Sequence, residues 1–158
     1  MRLPTFSAAV LARLLVLGGA LILVGSLLSW VVFSVQPLFG WTYRNGLDLG
    51  FGIVTALAGI GILTLGARLR VERPLSAWTA VGLALVTLAL VALALVVAMN
   101  HDPSDGRMFD GIAPGAIVVA FGAMLAALAG WRFAIRSSAA REPGSSPRRP
   151  RWQGAALL

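Results

Sequence analysis

Apolar residues in this chain come in four long blocks separated by short polar stretches. The blocks cover residues 14–35, 49–67, 75–99 and 112–131. Each is close to the ~20 residues a helix needs to cross a hydrocarbon core of ~30 Å. The pattern predicts an all-α integral membrane protein, a four-helix bundle. One domain spans residues 1–136, and residues 137–158 form a basic tail rich in Ser, Pro, Gly and Arg that is expected to be disordered.

Helix punctuation fits these blocks. Ser7 is placed to cap the first helix, and Arg13 to snorkel back to the headgroups. Pro37 ends the first helix or follows its end. Asp48 precedes the second helix as a cap, while Pro74 and Pro114 open the third and fourth. Residues 102–106 read as a turn. Arg2 precedes the first block as in a secretory leader. The block nevertheless reaches Val35, well beyond the ~7–15 residues of a leader's apolar region, and is read as a retained span.

Charge then sets an orientation. The N-terminus, the second loop and the C-terminal end hold eleven of the thirteen arginines. The first and third loops hold Arg44 and Arg107 with Asp48, Asp102, Asp105 and Asp110. Basic loops stay in the cytoplasm, so both termini are predicted inside. Trp30, Trp41 and Tyr43 are expected near the outer interface, and Trp78 and Trp131 near the inner one.

Composition adds exclusions. Charged residues are 12% of the chain, about half the usual share of a soluble domain. There is no cysteine, which excludes disulfides and thiolate chemistry. Every basic residue is arginine, the codon signature of a high-GC bacterial genome. The net charge of +7 flanks apolar spans, which points to the lipid bilayer and its anionic headgroups as partners and not to nucleic acid.

Candidate chemistry is sparse. The spans carry no Asp, Glu, His or Lys at membrane depth, so proton-coupled export has no carboxylate to use. His101 with Asp102, Asp105 and Asp110 matches no calcium loop, and a solvated loop is the plainer reading; no metal site or cofactor is assigned. No serine lies in a nucleophilic arrangement, so no catalytic residue is assigned. The candidate outer-loop binding residues are Trp41, Tyr43, Arg44 and Asp48. Asp48 reads either as a helix cap paired with Arg44 or as part of an outward ligand site.

Helix packing is signalled by small residues four apart. Gly52 and Ala56 mark the second helix, and Gly122, Ala126 and Gly130 the fourth. The third helix, almost pure Leu, Val and Ala, is expected to be the most lipid-exposed. Residues 46–50 and 111–115 open the second and fourth helices 65 positions apart, as a two-hairpin repeat would.

Ser29-Trp30, Gly40-Trp41 and Gly46-Leu47-Asp48-x-Gly50-x-Gly52 together resemble a pattern in uncharacterised small four-span membrane proteins of high-GC Gram-positive bacteria. That resemblance implies four-span topology and brings no known activity with it. The small-residue helix faces, the short loops and the absence of reactive groups lead instead to the expectation of a non-enzymatic accessory or scaffold subunit that binds a membrane protein partner or another copy of itself. An oligomeric transport component and an outward sensor using the first loop are the alternatives.

Overall fold

The computed structural model describes residues 7–35, 40–48, 50–68, 74–100 and 107–139. In chain order the elements are α1 (Ala8–Leu27), β1 (Ser29–Val35), β2 (Gly40–Asn45), α2 (Phe51–Arg68), α3 (Pro74–Met99), β3 (Arg107–Ile112) and α4 (Pro114–Ala139). Four helices are long and apolar enough to cross a membrane. At 1.5 Å per residue the 20 residues of α1 rise ~30 Å, one hydrocarbon core.

The all-α expectation is wrong. A three-stranded antiparallel sheet, ordered β2-β1-β3, stands at one end of the bundle. The first apolar block is two elements, because α1 stops at Leu27 and the chain turns extended at Leu28. Beyond that point Trp30, Val31, Val32, Phe33 and Val35 are aromatic or β-branched, residues that suit a pleated strand. Hydropathy alone reads straight across the junction, since a buried strand is as apolar as a span. Likewise Ile112, counted with the fourth span, closes β3, and α4 starts at Pro114.

The helices form an antiparallel ring. α1 packs on α2 and α4, and α3 packs on α4 and less extensively on α2. The α1–α4 seam is built on glycine. A Cβ on Gly18 would lie 2.8 Å from the Gly122 carbonyl oxygen, and one on Gly25 would lie 2.9 Å from the Val119 nitrogen. Bare backbones therefore touch, which gives dispersion contact where lipid supplies no hydrophobic drive. α2 meets α1 the same way at Gly19 and Gly59.

α3 seats its Ala77, Ala80, Ala84, Thr87, Val91, Ala94 and Ala98 inward at alternating steps of three and four. Leu85, Val86, Leu93 and Val96 face outward. α3 shares the greater exposure with α1 and α2: 33% of the apolar window is buried in each of the three, against 44% in α4. Alanine gives a tight seam while adding little to a polarity scale, so the sequence alone made this helix look unpacked.

A polar link joins two helices of the bundle. The Ser26 and Thr55 hydroxyls lie 2.8 Å apart, fully buried between α1 and α2. Each also has a carbonyl of its own helix within reach, Ile22 O at 2.7 Å and Gly52 O at 3.1 Å, so with one proton apiece one hydroxyl donates across the link and the other to its own helix. Donation of that kind satisfies a hydroxyl without water.

Arg13, Arg68, Arg132 and Arg136 all lie exposed at the bundle end opposite the sheet. Arg44, Asp48, Arg107 and Asp110 lie at the sheet end. β2 and β3 both precede helices and flank β1, but β1 has no counterpart after α3 among the described residues. The tail beyond residue 139, the His101, Asp102 and Asp105 cluster, and Pro37 lie outside the described residues.

Candidate functional site

The sheet is held to the bundle by Trp30. Its side chain is fully buried, not interfacial, and its indole N–H donates to the Gly25 carbonyl at 2.9 Å. That carbonyl belongs to the last turn of α1, where oxygens lack helical partners. The Leu28 N–H reaches the same oxygen at 3.2 Å. The Trp30 carbonyl in turn accepts the Ala113 N–H at 2.8 Å, tying the entry of α4 to β1.

Glycine makes room for the indole. A Cβ on Gly46 would lie 2.5 Å from a Trp30 ring carbon. Gly52 is pressed against the same turn, with its N–H bonded to the Gly46 carbonyl at 2.7 Å. Gly50 takes φ +77°, a region that suits glycine. Asn45 and Asp48 close the turn reciprocally: Asp48 N–H donates to Asn45 Oδ1 at 2.8 Å, and Asn45 N–H to Asp48 Oδ2 at 3.3 Å. Residues 30, 46, 48, 50 and 52 thus form one device, which seats a tryptophan and turns the chain into α2.

Two faces result. Toward the bundle, Phe33 and Phe109 meet edge to face with centroids 6.3 Å apart. Thr42 stands opposite Phe33, its hydroxyl buried and without a hydrogen-bond partner among the described residues. Away from the bundle, Trp41 and Tyr43 are 64% and 63% exposed. Trp41 and Met108 both lie opposite Ser34, so they share a row across the sheet. Asp110 falls at the irregularity in the β1–β3 pairing and is exposed.

The four candidate binding residues therefore separate. Trp41 and Tyr43 share the outward face, and Arg44 has the opposite strand parity, opposite Val31. Asp48 sits in the turn beyond β2 and bonds Asn45; no ion pair joins it to Arg44 among the described residues. The packing candidates separate too. Gly122 and Ala126 meet Gly18 of α1, whereas Gly130 meets Ala77 and Val81 of α3. Gly52 meets the Gly46 turn, and Ala56 is half-buried on α2. A separation of eight residues turns a helix face by ~80°, which spacing by fours conceals.

Sequence reasoning missed Met108, Thr42 and the anchoring role of Trp30. The available signal was the aromatic alternation of Trp41 and Tyr43 in Gly40–Asn45; Arg107–Ile112 has no such alternation in sequence, and its period of two is one of burial in the fold. Among the described residues no group of acidic or histidine side chains is placed to hold a metal ion. Comparison with protein-family models, with curated proteins and with solved structures finds no match.

Proposed function

We propose that this chain is a non-enzymatic multi-pass protein of a bacterial plasma membrane, acting as an accessory or scaffold subunit that recognises a membrane protein partner through its sheet. The observation that carries this reading is the outward face of the sheet, where Trp41, Tyr43 and Met108 stand exposed on a platform locked down by buried Trp30. Rigid exposed aromatics and methionine are the side chains enriched in protein interfaces. Among the described residues each outer strand pairs on one side only, which leaves an edge for an added strand.

The arginine distribution supports cytoplasmic termini and an external sheet. Single cysteines at Ser104 and Ser145 test it, since the chain has no other cysteine. Only Ser104→Cys is expected to react with an impermeant reagent in intact cells; labelling at Ser145→Cys reverses the orientation.

The functional test is extraction of the natively tagged protein in mild detergent, with mass and composition of the complex measured together. A stoichiometric partner lost in the Trp41→Ser, Tyr43→Ser double variant is the expected result. Recovery as a lone monomer overturns the accessory reading. A homo-oligomer shifts weight to the transport alternative, for which flux through proteoliposomes is then measured.

A further inference from the structure

A groove of about 570 Å³ opens between α1 and the end of α2, at the bundle end opposite the sheet. Ala9, Ala12, Val16 and Ala20 of α1 line it with Gly66 and Ala67 of α2. It exists because Gly66 lets the two backbones close up, a Cβ there lying 3.0 Å from the Val16 nitrogen. The alanines beside that contact are too short to fill the flank.

Its length and charge both point to lipid. From Ala9 to Ala20 the helix rises ~16 Å, the depth of one leaflet of a ~30 Å core. Arg13 also lines the groove, exposed and with no ion pair among the described residues. Arg68 follows groove-lining Ala67 at the end of α2. The described acidic residues, Asp48 and Asp110, are at the other end. An apolar slot one leaflet deep, with guanidinium charge near its mouth and no carboxylate beside it among the described residues, complements a lipid with an acyl chain and an anionic head. Guanidinium matches phosphate oxygens with paired donors.

We infer that this groove binds one anionic phospholipid, its acyl chain along Ala9 to Ala20 and its phosphate at Arg13. The inference rests on the helices lying in a bilayer, which resistance of the membrane-bound protein to carbonate extraction tests separately. It does not depend on the sheet having a partner.

The test is native mass spectrometry of the full chain, delipidated in mild detergent and titrated with phosphatidylglycerol or phosphatidylcholine. One phosphatidylglycerol is expected to bind in preference to phosphatidylcholine. Arg13→Gln is expected to weaken it about fivefold, the factor equivalent to the ~1 kcal/mol a membrane-surface arginine contributes. Ala20→Leu, which fills the slot, is expected to reduce retention of both lipids. Arg132→Gln, at the same end but on α4, is expected to change neither. Equal affinity for the two lipids overturns the inference, as does equal loss in Arg13→Gln and Arg132→Gln. Competition between the two lipids on the unaltered chain decides the question should a variant fail to fold.

Discussion

Trp30 lies against Gly46 so closely that a methyl group on the glycine would fall 2.5 Å from the indole ring. The contact joins the start of β1 to the turn before α2, so the seating of the sheet and the entry of the second helix depend on one packing event. Gly46→Ala is expected to destabilise the protein by ~1–3 kcal/mol through overpacking. Gly40→Ala is the control, because among the described residues nothing lies within 4 Å of a Cβ there. Unfolding in detergent micelles, followed by circular dichroism, separates the two; equal effects would remove Trp30 from its place.

Trp30 and Trp41 are expected to differ sharply in solution. Trp30 is 0% exposed and Trp41 64%. In variants that keep a single tryptophan, acrylamide should quench Trp41 strongly and Trp30 weakly. Trp30→Phe keeps a ring but removes the indole donor from the Gly25 carbonyl, which retains the Leu28 N–H, at an expected cost of ~0.5–1.5 kcal/mol for the lost hydrogen bond.

The same substitution should have opposite signs on two helices. A Cβ on Gly122 would lie 2.8 Å from the Gly18 oxygen, so Gly122→Ala must part α1 from α4. Gly82 has nothing within 4 Å, and Gly82→Ala should gain up to ~1 kcal/mol of helix propensity. Paired stability measurements check both, and a neutral Gly122→Ala would deny the close seam.

Ser26 and Thr55 should be energetically coupled. A double-mutant cycle of Ser26→Ala and Thr55→Val is expected to give ~0.6–1.7 kcal/mol, the range for hydrogen bonds between membrane helices. A coupling of zero would mean that each hydroxyl is satisfied by its own helix alone.

The Thr42 hydroxyl is buried without a partner among the described residues. Replacing it with an apolar group of the same shape removes a desolvated oxygen at little packing cost. Thr42→Val is expected to leave stability unchanged or raise it. A loss above ~1 kcal/mol would show that the hydroxyl is bonded.

The sequence by itself determined the number of helices long and apolar enough to span, and where most of them begin. Ser7, Pro74 and Pro114 stand at the observed helix starts, because caps and prolines act through local backbone chemistry. It also determined the sorting of arginines to one end, since charge placement needs no knowledge of packing. Only the tertiary structure decided that residues 29–35 leave the first helix to become a central strand. Hydropathy is the same for a buried strand and a span, and the partners that settle the matter, β2 and β3, lie far along the chain. The candidate site divided for the same reason. Trp41 and Arg44 are close in sequence, but strand parity sends one outward and the other to the opposite face. Trp30 was legible as an aromatic near a span end; its burial required Gly25, Gly46 and Ala113 to converge on it, and convergence of that kind exists only in the folded chain.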